Sequence, residues 1–410
     1  MQKKNIVLLT QYYPPEIGGG SQRSVGFVEE LKSLGADVTV VTPFPSYLLS
    51  KDQIEKKYKL YEKTTDDSGV TVYRTFVYSS DRGNFLKRIF YYLSFMISSF
   101  IVASLKIKKI DYLITISPPY FTGISGIFIK KIKKAKFIFD IGDLWPEGAI
   151  QLGYLKNKTV ISLAEFGERK IYKNADIINV VTRLTKQKLE KIHPYVKKIF
   201  YVPNFVNAGL IKKNDKNFKI ITELGLENKV VFGYAGNIGS AQGLKIIAEA
   251  AELTKNQKDI VYMVIGEGVD SVLLREMKKE KNLSNLILLP PVSREKIVDY
   301  ISVFDVMIIP LIKNELFRIT IPSKLYESMA AEIPVLIGVD GEARRIVEEA
   351  KCGLFFEPEN AAELAKGIMA YYNNRQLAAT LGKNGRVVAE TEFSRKTVIT
   401  NFYKELLANE

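Results

Sequence analysis

An α/β protein with two doubly wound parallel sheets in series is the fold that this 410-residue sequence predicts. Short apolar runs alternate with helical patterns from end to end, the mark of strand–helix–strand units. The runs are continuous rather than alternating in polarity, as strands covered on both faces must be. The length also exceeds what one hydrophobic core comfortably serves, so the rhythm divides into two domains.

In chain order, the first half predicts strands at 5–10, 37–42, 69–76, 112–117, 136–141 and 177–181. Helices are expected between them at 21–34, 86–109, 122–134, 159–173 and 183–192. The second half repeats the rhythm with strands at 230–235, 260–265, 287–289, 306–310, 335–337 and 353–356. A last helix is expected at about 394–407.

Composition excludes several chemistries. Apolar residues make up 47% of the chain, which supports a globular protein. A single cysteine, Cys352, rules out a disulfide framework and thiolate zinc sites, and reads as a small buried residue. A single histidine, His193, excludes a two-histidine metal centre and reads as structural. The first residues run straight into a strand, which predicts no cleavable leader and a reducing cytoplasmic setting. Net charge is +14, with 32 Lys+Arg against 18 Asp+Glu in residues 1–200 and 27 against 27 in 201–410. The whole excess lies in the first half, which therefore faces something anionic, either nucleic acid or a membrane surface.

The most informative stretch runs from Ile321 through Pro322, Ser323, Lys324, Leu325 and Glu327 to Pro334. Pro322 suits the start of a helix, where a missing N–H costs nothing. The amides of Ser323, Lys324 and Leu325 then point outward as an anion site, and Lys324 adds charge to it. Glu327, about one turn on, would repel a phosphate but can accept two sugar hydroxyls. Phosphate and ribose held side by side mean a nucleotide ligand.

Other loops stand at expected strand ends, where ligands of parallel sheets collect. Gly18, Gly19 and Gly20 follow the first strand and allow close backbone approach to an oxyanion or sugar; Arg23 then faces either a phosphate or solvent on the helix surface. Asp140, Asp143 and Glu147 flank the only tryptophan, Trp145, and are candidate bases for a hydroxyl. Gly236, Asn237 and Gln242 follow the first strand of the second half. Gly266 and Gly268 either leave room for a flat ring or simply close a strand-end turn. The Rossmann phosphate fingerprint is missing at both glycine clusters, and no Walker motif occurs. Residues 89–105 carry no charge and lie between basic flanks. A buried core helix, an interfacial helix and a true span remain open for this segment, which is short for a span.

On these residues the chain resembles the retaining GT-B glycosyltransferases of glycosyltransferase family 4. The Pro-Ser-Lys and Asp-Leu-Trp-Pro stretches are similar to the subgroup that makes bacterial surface polysaccharides. The resemblance implies two Rossmann-like domains facing a cleft. The acceptor domain would cover 1–200, joined by a C-terminal helix at 390–410 that crosses back, and the donor domain 201–389. It also implies that Ser323, Lys324, Leu325, Glu327, Gly19, Gly20, Gly236, Asn237, Gln242, Gly266, Gly268 and Val292 bind the donor. Arg23 and Trp145 would meet the acceptor, and Asp143, Asp140, Glu147 and Lys324 would carry the chemistry. Ile319 stands where the family has another glutamate, and Gly142 where it often has a histidine.

The implied reaction moves a sugar, an N-acetylated hexosamine or deoxyhexose, from a UDP-linked donor with retention of configuration. The implied acceptor is a polyprenyl-diphosphate-linked saccharide, met at the cytoplasmic face of an anionic membrane. No cofactor is expected, and the lack of an Asp-x-Asp motif predicts no required divalent metal. The alternative is a nucleic-acid-binding protein using the basic half. Its aromatic residues are not interleaved with the lysines as stacking platforms would be, so no nucleic-acid partner is expected.

Overall fold

The computed structural model describes residues 3–409 except 17, 47–58, 79–84, 152, 154 and 212–214, and leaves out the side chains of 85, 86, 294 and 295. Its contacts divide the chain into two compact units, Met1–Asn204 with Val398–Glu410, and Phe205–Thr397. These limits fall a few residues beyond the expected 200 and 390. The reason is local: Phe393 and Arg395 exchange backbone hydrogen bonds with Val206, which ties the start of the last helix to the second unit.

Among the described residues, the first unit holds an eight-stranded sheet. Its strands are β1 (Asn5–Leu9), β2 (Asp37–Pro43), β3 (Tyr61–Thr65), β4 (Thr71–Thr75), β5 (Tyr112–Ser117), β6 (Lys136–Ile141), β7 (Ile177–Val180) and β8 (Ile199–Tyr201). The order is β3-β4-β2-β1-β5-β6-β7-β8, parallel except for the antiparallel edge strand β3. Connecting helices are α1 (Gly19–Ser33), α2 (Phe85–Lys106), α3 (Phe121–Lys133), α4 (Glu147–Gln151), α5 (Lys158–Asn174) and α6 (Arg183–Ile192). The chain reverses direction across the sheet between β1 and β5, the kind of point at which open parallel sheets collect ligands.

The second unit holds a six-stranded sheet among its described residues, in the order β11-β10-β9-β12-β13-β14. The strands are β9 (Val230–Ala235), β10 (Ile260–Ile265), β11 (Leu286–Leu289), β12 (Val306–Pro310), β13 (Val335–Gly338) and β14 (Gly353–Phe355). Helices α7 (Phe218–Leu224), α8 (Lys245–Leu253), α9 (Ser271–Glu280), α10 (Arg294–Ile301), α11 (Ser323–Ala330), α12 (Glu342–Ala350), α13 (Ala361–Asn373) and α14 (Arg375–Thr391) cover both faces, and α15 (Arg395–Leu407) returns the chain to the first unit. Strand β10 shows why continuous apolar runs are needed. Val261, Met263 and Ile265 enter one core, and Ile260, Tyr262 and Val264 the core on the opposite face. Burying each such side chain contributes about 1.5–3 kcal/mol. Cys352 sits in the first of these cores and is buried, as its sequence neighbourhood predicts.

Candidate functional site

In the second unit the direction reverses between β9 and β12, and the loops that follow these two strands carry the expected site. Pro322 has extended backbone angles and caps α11, so Ser323 is its first helical residue. Leu325, Tyr326, Met329 and Ala330 are buried, which fixes the rotation of α11 and turns Lys324 and Glu327 away from the core. The carboxyl end of α11 is held by Arg386, whose guanidinium donates to the carbonyls of Ala330, Ala208 and Ile211. The amides of Ser323 and Lys324 have no acceptor among the described residues. The Leu325 amide does not join them, because it already donates to the Pro322 carbonyl at 3.0 Å in a tight first turn.

Lys324 extends toward the loop after β9. Its ammonium lies 5.0 Å from the centre of the Tyr234 ring. A Cβ on Gly236 would come within 2.8 Å of both Lys324 Cε and Nζ, and Gly236 has φ 143°, so only glycine lets the lysine pass. Burial draws the Lys324 ammonium below the usual lysine range, and Glu327 one turn on draws it back up. Glu327 is exposed. A groove of about 490 Å³ runs beside α11, bordered by Ala235, Lys324, Glu327 and Ser328. Ser328 is buried and its hydroxyl has no hydrogen-bond partner. Nothing in the sequence separates this serine from any other helical serine.

Several expectations for this unit need correction. Gly266 and Gly268 are required by packing within the unit itself. A Cβ on Gly266 would fall 1.9 Å from the Gly236 carbonyl oxygen, and one on Gly268 2.3 Å from that of Ile238. Both glycines let the loops after β9 and β10 pack against each other. Gln242 turns its carbonyl back on its own loop, accepting from the Gly239 amide at 3.2 Å and from Asn237 at 3.4 Å. Asn237 remains exposed, and Val292 packs half-buried against the core.

In the first unit, Gly19 faces open space, whereas a Cβ on Gly20 would meet the Tyr12 ring at 3.0 Å. Ile17 of the same loop lies outside the described residues. Arg23 does not reach toward a ligand. It is buried, forms a two-pronged ion pair with Asp140 at 2.7 and 2.8 Å, and donates to the carbonyls of Val202 and Pro203. That pairing also removes Asp140 from the candidate bases, since its carboxylate is fully buried and committed. Glu147 is likewise engaged, accepting from Lys188 at 2.5 and 2.6 Å and from Gln151 at 2.8 Å. Asp143 alone of the three keeps an exposed carboxylate with no partner among the described residues. The protein crowded around it still raises its carboxyl above the ordinary range. Trp145 is half-buried and stacks on Tyr120 with ring centres 4.0 Å apart.

Glu168 on α5 belongs to this neighbourhood although its sequence context reads as a solvated helix face. Desolvation, with Glu147 and Glu165 adding repulsion, pushes its carboxyl up to about 7, against the hydrogen bond from Tyr172 at 2.8 Å. A raised folded-state value means that stability is present below the unfolded value and lost as pH climbs through about 7. Glu168→Gln should therefore raise the melting temperature at pH 8 and leave it nearly unchanged at pH 4. The gain should be up to about 3 kcal/mol, read from denaturant unfolding at the two pH values.

Residues 216–388, most of the second unit, match the family model "Glycosyl transferases group 1". The chain is similar over 96% of its length to the putative colanic acid biosynthesis glycosyl transferase WcaI of Escherichia coli, at 25% identity and covering 97% of that protein. Among solved structures, sucrose-phosphate synthase of Thermosynechococcus elongatus superposes with a TM-score of 0.71 at 16% identity, covering 100% of both chains. Anabaena HepE in complex with UDP superposes with a TM-score of 0.73 at 16% identity, covering 98% of this chain and 100% of its own. These likenesses establish the GT-B fold, with two Rossmann-like units and a last helix that rejoins the first.

Proposed function

We propose that this chain is a retaining glycosyltransferase of surface-polysaccharide biosynthesis that takes a sugar from a UDP-linked donor. The observation that carries the reading is the placement of Lys324 and two unpaired helix amides at the reversal point of the second sheet, with Glu327 one turn on. The match of residues 216–388 to the glycosyl transferase model supports it, as do the names of the relatives. The UDP held by HepE, which shares the fold, favours a uridine nucleotide.

In this reading the amides of Ser323 and Lys324 and the Lys324 ammonium take the donor diphosphate. Glu327 accepts the ribose hydroxyls. Transfer breaks the bond from the anomeric carbon to the diphosphate oxygen, and the electron pair leaves with the diphosphate. Charge on that leaving group grows in the transition state, so preorganised donors accelerate the step. The acceptor hydroxyl bonds to the same face of the anomeric carbon, and Asp143 is the group assigned to take its proton. The acceptor is a lipid-linked saccharide met at the inner face of the cell membrane, with Trp145 as a ring platform for a sugar. No cofactor or divalent metal is assigned to the step.

Glu327→Ala tests the ribose assignment. Calorimetric titration with UDP should show binding weakened about 10- to 100-fold, the loss of one or two charge-assisted hydrogen bonds. Unchanged UDP affinity would remove Glu327 from the site.

A further inference from the structure

Helix α2 is apolar on its outer side as well as on its inner one. Its hydroxyls face inward: Ser98 donates to the Phe76 carbonyl at 2.6 Å, and buried Ser99 donates to the Met96 carbonyl at 3.2 Å. Tyr91, Phe95 and Val102 fill the same inner side, yet a second set of large apolar side chains faces outward, with Phe90, Ile97 and Leu105 exposed by 60, 54 and 74%. At 3.6 residues per turn these three fall on one side of the helix. Neighbouring α3 repeats the pattern. It turns Gly123 and Gly126 to the sheet, where a Cβ would fall 2.7 Å from Phe139 or 2.5 Å from Phe137, and leaves Phe128 and Ile132 half exposed. The Phe100 and Phe128 rings meet edge-on with centres 5.8 Å apart, so the two outward strips form one patch.

Residues 87–106 are long and apolar enough to cross a membrane, yet the inner side of α2 packs on α3, β2 and β4. The helix therefore lies along the unit's surface. No acidic residue occurs in residues 82–110 or 112–139, while Lys87, Arg88, Lys131, Lys133 and Lys134 stand at the ends of the two helices. A symmetric contact between two copies of this face would set cations against cations. Anionic headgroups answer the rim and the acyl boundary answers the centre.

We propose that the α2–α3 face docks on an anionic bilayer, with Phe90, Ile97, Leu105, Phe128 and Ile132 set below the headgroups. The docking rests on the patch alone. Its bearing on catalysis, as the surface through which a lipid-linked acceptor is met, rests on the function proposed above.

Flotation of the full chain with phosphatidylcholine vesicles, with and without phosphatidylglycerol, tests it. The parent should float with the anionic vesicles. Ile97→Gln/Phe128→Gln should lower partitioning at least about 10-fold, because two apolar side chains no longer leave water. Lys131→Gln/Lys133→Gln/Lys134→Gln should weaken it in a manner that added salt abolishes. Thermal unfolding of every variant reports folding independently, and UDP titration reports the donor site. UDP binding without flotation of the parent overturns the docking alone, and flotation without UDP binding overturns the nucleotide reading alone. Equal flotation of parent and Ile97→Gln/Phe128→Gln overturns the proposal, as does ultracentrifugation showing that this variant splits a dimer.

Discussion

Replacing Lys324 by alanine should lower turnover about 10²- to 10³-fold, the usual effect of removing one preorganised donor from a charge-developing oxygen. The loss should fall mainly on kcat. The Lys324 ammonium is partly desolvated between the Tyr234 ring and Gly236, so its field is little screened by water. Ground-state binding is shared with the amides of Ser323 and Lys324, which the substitution leaves in place. Lys324→Arg is not a conservative rescue, because Gly236 already lies within contact of the lysine tip and a guanidinium fork needs more room. Steady-state kinetics with a UDP-sugar decide the matter. Turnover within about threefold of the parent would show that other groups stabilise the leaving diphosphate.

Arg23→Ala should destabilise the fold by about 3–5 kcal/mol, because it leaves the Asp140 carboxylate buried and unpaired. The same substitution strips donors from the carbonyls of Val202 and Pro203. A joint change, Arg23→Met with Asp140→Leu, should recover much of the loss by replacing a desolvated ion pair with apolar contacts. Urea midpoints measure both. An Arg23 that served an acceptor would behave differently: the single variant would keep its unfolding midpoint and raise only the KM for acceptor.

Much of the fold was legible because most strands are buried on both faces. β5, β6, β9, β10 and β12 occupy the residues their apolar runs predict. β3 went unread, since this antiparallel edge strand carries Glu62 and Lys63 and is largely exposed. β8 is three residues long and reads as part of the connection between units. In the site, Pro322, Lys324 and Glu327 were legible because one helix turn fixes their spacing. Arg23 and Asp140 were not, since their partnership spans 117 residues and only the sheet order brings them together. Glu168 was hidden for a related reason: its shift arises from desolvation by the tertiary fold, which leaves no local pattern. The outward apolar strip of α2 was equally hidden, because a run apolar on all sides does not say which residues point out.

The central claim is that a nucleoside diphosphate binds at the amino end of α11. A crystal structure of the full chain soaked with UDP tests it most directly. Diphosphate oxygens should lie about 2.7–3.2 Å from the amides of Ser323 and Lys324, with the ribose hydroxyls on Glu327. Diphosphate density elsewhere in the protein, with that helix end empty, would contradict the account.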